Sequence, residues 1–185
     1  MIITISGRPG SGKSVVASKV ADVLGIGHVS AGDFMREMAE ERGISILELS
    51  RLAEQDDAID AEIDGRTRRL AATGEDFVID ARLGWHFVPE SFKVFLDVRP
   101  EVAARRIYGA QRGTERENID LETTRVAVET RTRSETARYQ EYYGLDYTDP
   151  SHYDVVVDTS DLTVDQVVDQ VLTQSGIDDL DHRHQ

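Results

Sequence analysis

The first residues whose types and spacing could do chemistry are Gly7, Gly12, Lys13 and Ser14, set in the run Gly7-Arg8-Pro9-Gly10-Ser11-Gly12-Lys13-Ser14. Glycines let a backbone approach an anion closely and offer N–H donors with no side chain in the way. A lysine at this point brings charge to the terminal phosphates of a nucleotide, and the adjoining hydroxyl is a ligand for Mg²⁺. The apolar run Ile2–Ile5 reads as a buried parallel strand. After the loop, Val15–Leu24 has helical spacing and stops at Gly25. Strand, loop and helix follow in the order a phosphate cradle needs, with the positive end of the helix dipole at the phosphates. The loop says nucleoside triphosphate and leaves the acceptor of the phosphate open.

Phosphoryl transfer needs further cations aimed at the charge that develops between donor and acceptor. Arginine suits this, because its planar fork binds phosphate bidentately and keeps its charge. Arg36 follows the second strand by one helical turn, in Ser30-Ala31-Gly32-Asp33-Phe34-Met35-Arg36, and Arg82 follows the third, in Asp80-Ala81-Arg82. Arg131, Arg133 and Arg138 lie on a long charged segment, with Arg131 and Arg138 seven apart and so on one helical face.

Those residues need elements to hold them. Strands are expected at 2–5, 28–30, 77–80, 92–98 and 154–158. Helices are expected at 34–42, at 46–54 with Ser45 as cap, at 58–72, from Pro100 onward, at 121–143, and at 162–172 with Thr163 as cap. Alternating strands and helices argue a five-stranded parallel sheet with helices on both faces. In such sheets the ligand sits outside the carboxyl ends of the strands, which gathers Gly7–Ser14, Asp33, Asp80 and Arg82 around one crevice. The helical block between the second and third strands is too long for a minimal crossover and reads as an insertion.

Composition narrows the partners. At 185 residues this is one ordinary domain. It has no cysteine, so disulfides, thiolate metal sites and zinc-knuckle lids are excluded. No signal segment and no membrane span is legible, so a cytoplasmic protein is expected. Asp and Glu number 35 against 21 Lys and Arg, a net charge of -14, and only Lys13, Lys19 and Lys93 are lysines. That surface repels nucleic acid and argues against a nucleic-acid end kinase. Acid-rich, lysine-poor composition fits a salt-loving source, where salt screens the self-repulsion. His182 and His184 in the tail are read as solvated.

The chain resembles the cytidylate kinases, in particular the short archaeal type. The resemblance is carried by the opening loop, by Ser30-Ala31-Gly32-Asp33-Phe34-Met35-Arg36, by Asp60-Ala61-Glu62-Ile63-Asp64 and by Asp80-Ala81-Arg82-Leu83. It continues through Arg105-Arg106-Ile107, Arg131-x-x-Ser134-Glu135-x-x-Arg138-Tyr139 and Tyr153-Asp154-Val155-Val156-Val157-Asp158. It implies a P-loop NTPase-type α/β/α core (1–30, 75–112 and 150–175), an acceptor-binding helical insertion at about 31–74, a helical lid at about 113–145 and a disordered tail at 176–185. It implies transfer of the γ-phosphate of ATP, with Mg²⁺, to CMP and dCMP by a monomer that engages neither nucleic acid nor membrane.

Under the same resemblance Gly7, Arg8, Pro9, Gly10, Ser11, Gly12, Lys13, Ser14 and Val15 bind ATP. Ser14 holds Mg²⁺, with Asp80 acting through water. Asp33, Arg36 and Arg82 serve the acceptor, Arg131 and Arg138 reach the phosphates of both nucleotides, and Lys13 acts with them in catalysis. Glu135 faces cytosine, as a carboxylate accepting from the exocyclic amino group that uracil lacks. Val15 stands where many such loops carry a second hydroxyl, Ala81 replaces a usual glycine, and Leu83-Gly84-Trp85 is one residue short. The alternatives are a small kinase acting on AMP, UMP or shikimate, and a nucleotide-dependent switch. The Asn-Lys-x-Asp signature of a guanine-reading switch is absent from the sequence.

Overall fold

A computed structural model describes residues 1–110 and 120–176, the side chain of Leu70 excepted. The expected polar loop at 113–118 and nearly all of the tail lie outside the described residues. Five strands, β1 (Ile2–Gly7), β2 (Gly27–Ser30), β3 (Phe77–Asp80), β4 (Phe92–Asp97) and β5 (Val155–Asp158), form one sheet in the order β2-β3-β1-β4-β5. Every pairing is parallel. Helices α1 (Lys13–Leu24), α2 (Ala31–Glu41), α3 (Ile46–Ala53), α4 (Ala58–Ala71), α5 (Gly84–Phe87), α6 (Pro100–Gly109), α7 (Leu121–Tyr143) and α8 (Val164–Ser175) flank it or extend from it. A 3₁₀ turn at Pro150–His152 precedes β5.

Apolar residues of β1, β4 and β5 are buried against α1 and α8. Ile3, Ile5, Val94 and Leu96 meet Val16, Val20, Val168 and Val171 in the main core. The insertion has its own apolar cluster, in which Met35, Met38 and Ala39 of α2 pack on Ile46 and Leu49 of α3 and on Ile59 and Ile63 of α4. Capping explains the helix boundaries. Ser45 with Glu48, Asp120 with Thr123 and Thr163 with Gln166 each form reciprocal caps. Because Thr163 occupies the cap, α8 starts at Val164, two residues later than the apolar pattern suggests, and it runs on to Ser175. α2 begins at Ala31 with no intervening turn, because Ser30 at the end of β2 is extended and serves directly as the N-cap residue. The four-residue α5 and the 3₁₀ turn are too short to leave a periodic signature.

The close of β1 is the tightest point of the frame. Gly7 has φ +149°, and a Cβ there would lie 2.2 Å from the carbonyl oxygen of Leu96 on β4. No L side chain fits without separating the two strands. Gly7→Ala is therefore expected to cost roughly 2–4 kcal/mol, measured by urea unfolding. A variant as stable as the parent would show that β1 and β4 separate freely there.

Candidate active site

A cleft of about 540 Å³ opens along the carboxyl ends of the strands. Its floor is the loop between β1 and α1. Gly12, at φ +87°, is the N-cap residue of α1 and offers no side chain to the helix's first N–H groups, which stay available for an anion. Pro9 through Val15 line this end of the cleft, whereas Gly7 and Arg8 do not. Arg8 turns to the far side, where its Nε donates to Asp97 Oδ1 at 2.9 Å. Val15 is exposed, so it offers a nucleotide its backbone alone.

Lys13 sits among charges of both signs. Burial first, then the neighbouring Arg82, pull its ammonium down to about 7, against the opposing pull of Asp80 and Glu135. A phosphate placed beside it would reverse that balance. Ser14 Oγ donates to Asp80 Oδ2 at 2.6 Å, and Ser30 Oγ donates to the same oxygen at 3.1 Å. Three elements thus converge on one carboxylate: the start of α1, the end of β2 and the end of β3. The hydroxyl and carboxylate are hard oxygen donors, which suit Mg²⁺. Among the described residues there is no group of three or more His, Cys, Asp or Glu that could hold a metal. Ser14 and Asp80 would therefore leave most of an ion's shell to phosphate and water, as Mg²⁺ prefers.

The arginines stand close to Lys13 in the same cleft. Glu135 of α7 accepts from Arg82 Nε on Oε2 at 2.8 Å and from Arg131 Nε on Oε1 at 3.0 Å. Burial raises the Glu135 carboxyl, but Arg82 and Arg131 outweigh it and hold the group at about 2. The same pairing, with the rings of Tyr147 and Tyr139, raises Arg82 above its ordinary value despite its burial. Both Glu135 oxygens are occupied by guanidinium groups. The side chain therefore orders two cations in this structure; the resemblance implies a base contact for it as well.

Arg138 also departs from expectation. It is 2 % exposed and lies beneath α7. Its Nε donates to Asp60 Oδ2 at 2.8 Å, and its Nη1 donates to Ser50 O at 3.0 Å and Ser134 Oγ at 2.8 Å. These bonds tie α7 to α3 and α4, so only its margin faces the cleft. Arg131 and Arg138 share a face of α7 as the spacing requires, yet one is held at the cleft by Glu135 and the other is locked onto α3 and α4. Arg36 lines the cleft and pairs with Asp33, which is itself exposed and outside the lining.

Sequence reasoning gave no role to Arg106, although it quoted the stretch that holds it. Its Nη2 donates to Thr159 O at 2.7 Å and its Nη1 to Thr159 Oγ1 at 3.0 Å, beside the loop's Gly10. It lies two turns into α6, and only the topology brings α6 next to the loop and the end of β5. Asp64, Thr67 and Tyr139 also line the cleft without having been singled out for a role.

The Glu135 bridge should be visible in stability. Glu135→Gln leaves Arg82 and Arg131 without their counter-charge and is expected to cost about 2–4 kcal/mol at pH 7. The carboxyl drops from 4.5 to about 2 in the fold. Its contribution is therefore full above about 4.5 and is lost as the pH falls toward 2. Urea unfolding of parent and variant should give curves whose separation narrows below about pH 4.5. A constant separation would remove the bridge as its cause.

Comparison with known proteins gives the family. Residues 2–161 match the model of the cytidylate kinase-like family. A cytidylate kinase of Halobacterium salinarum is 42% identical over 174 residues, covering 93% of this chain and 88% of that protein. One of Methanothermobacter thermautotrophicus is 44% identical over 160 residues, covering 86% and 96%. Among solved structures, a shikimate kinase of Bacteroides thetaiotaomicron superposes with a TM-score of 0.66 at 13% identity, over 94% of this chain and 97% of that one, a likeness of fold alone. The chain belongs to the cytidylate kinase-like family.

Proposed function

We propose that this protein transfers the γ-phosphoryl group of ATP to CMP, and to dCMP, giving ADP and CDP or dCDP. The observation that carries the reading is one cleft with two sets of phosphate-binding groups. The loop with Lys13 is one set, and Arg36, Arg82 and Arg131, from α2, the exit of β3 and α7, are the other. Two sets in one cleft suit two nucleotides whose phosphates meet there. The relatives' names supply the acceptor.

The chemistry needs no covalent intermediate. An oxygen of the acceptor phosphate attacks the γ-phosphorus, the bond to the bridging oxygen breaks, and ADP leaves with that electron pair. No general base is required, because the acceptor phosphate is already an anion. The backbone of Gly10–Ser14 holds the donor, and Lys13 neutralises its terminal phosphates. Arg36 and Arg82 hold the acceptor phosphate, and Arg131 bridges to the transferred group. Mg²⁺, held by Ser14 and through water by Asp80, would neutralise phosphate charge. Arg138, with Asp60, positions α7. We also assign the acceptor side to the helical insertion at about 31–74 and closure over the phosphates to the segment at about 113–145.

A coupled assay with ATP and Mg²⁺ over CMP, dCMP, UMP, AMP and shikimate tests the reading; turnover of CMP and dCMP well above the rest is expected, and preference for any other acceptor would overturn it. Lys13→Ala should fold normally and lose roughly 1,000-fold or more in turnover; near-parental transfer would discard the mechanism. The Lys13 ammonium, about 7 when free, should be driven back to its charged form by bound phosphates. At pH 8.5, ADP binding should therefore take up a proton. Calorimetry in two buffers of different ionisation heat measures this, and Lys13→Ala should abolish the uptake.

A further inference from the structure

We propose that Asp64 reads the base of the acceptor, taking the exocyclic amino group of cytosine on its Oδ1 while Ile63, Phe87 and Tyr139 cover the faces of the ring. This rests on the reading of the protein as a CMP kinase and adds the residue that sets the choice of base. The argument begins with the carboxylates that line the cleft, which among the described residues are Asp60, Asp64, Asp80 and Glu135. Asp80 is at the phosphate end, held by Ser14 and Ser30. Glu135 spends both oxygens on Arg82 and Arg131. Asp60 faces Arg138 with both of its own. Asp80 keeps its Oδ1, but beside Ser14 that oxygen serves the phosphate end. Of the other three, Asp64 alone has an oxygen that accepts nothing from the described residues: its Oδ2 accepts from the Tyr143 hydroxyl, and its Oδ1 is open.

The position suits a base. Asp64 is one helical turn beyond Asp60 on α4 and shares its face. Arg82 and Arg131 stand near Lys13, and α4 borders the same cleft through Asp60, Ile63, Asp64 and Thr67, so an acceptor held by its phosphate at the arginines has α4 within reach of its base. Ile63, next to Asp64 in the chain, lines the cleft with Tyr139 and Phe87, and the α5 that carries Phe87 packs on α4. Flat apolar walls with a few placed polar groups are what a nucleobase requires. Burial pushes the Asp64 carboxyl up to about 6, so it remains an ionised acceptor at neutral pH. Uracil presents a carbonyl oxygen where cytosine presents its amino group, and a carboxylate repels it.

Tyr143 is the positioning residue, and it fixes what an amide would do. Its hydroxyl donates to Oδ2. In Asp64→Asn the carbonyl oxygen takes that hydrogen bond, and the amide NH₂ is left facing the base. That geometry suits uracil. The measurement is kcat/KM for CMP and UMP in parent, Asp64→Asn and Asp64→Asn/Tyr143→Phe, with a thermal melt of each. Asp64→Asn should lower the CMP-over-UMP ratio by roughly 10- to 100-fold. The double variant frees the amide to turn and should recover part of the ratio. Equal loss on both substrates, leaving the ratio at the parental value, would overturn the assignment.

A substrate-side test needs no variant. Pyrimidin-2-one riboside monophosphate, which lacks the amino group, should be at least ~10-fold poorer than CMP for the parent. Asp64→Asn should narrow that gap, and an analogue as good as CMP for the parent would overturn the proposal. Should the parent fail to phosphorylate CMP at all, the kinase reading itself falls, and Asp64 with it. That outcome is distinct from an unchanged ratio in a protein that does use CMP.

Discussion

The structure depends on how α7 is held. Its buried side chains are Thr124, Ser134, Glu135 and Arg138, all polar or charged. A helix that presents such groups to its neighbours must find a partner for each, because an unpaired buried charge costs several kcal/mol. Glu135 finds Arg82 at the exit of β3, and Arg138 finds Asp60 and the carbonyl of Ser50 in the insertion. The Tyr142 hydroxyl adds a bond to the carbonyl of Ala53 at the end of α3. Hydrophobic burial would hold α7 in many nearby positions, whereas these directional pairs hold it in one. Arg82 and Arg131 are thereby fixed beside the cleft before any nucleotide arrives.

This arrangement sets two kinds of electrostatics side by side. The outer surface is acidic, and the whole chain carries -14. Polyphosphates approaching it are repelled until salt shortens the screening length, from ~10 Å at 0.1 M to ~3 Å at 1 M. In the cleft lining the balance reverses, with Lys13, Arg36, Arg82, Arg106, Arg131 and Arg138 outnumbering Asp60, Asp64, Asp80 and Glu135. The partly buried cleft charges are screened much less than the exposed surface. High salt would thus quiet the surface while leaving the site its attraction, which suits a family with relatives in halophilic archaea.

Much of the frame was legible because it rests on local signals. β-branched runs, capping residues and terminal glycines placed every strand and all helices but α5 to within about three residues. The loop from Gly7 to Ser14 was legible because a phosphate cradle needs a fixed spacing of residue types. Pairing was not. Nothing in the spacing of Arg131, Glu135 and Arg138 says which of them faces phosphate and which turns under the helix. That depends on where Asp60 and Arg82 stand in space, 78 and 53 residues away in the chain. Residue type alone singles out Glu135, because only the fold shows that its two oxygens each accept from an arginine and that Asp64 Oδ1 accepts nothing from the described residues.

The separate apolar cluster of α2, α3 and α4 has a mechanical consequence. It makes the insertion a small solid of its own, and Arg138 and Tyr142 rivet α7 to it. α7 cannot move alone without tearing open a buried ion pair, so displacement of α7 drags α3 and α4 along. The proposed donor and acceptor sites are then mechanically linked. By thermodynamic reciprocity, whatever one nucleotide does to the affinity for the other is returned in equal measure.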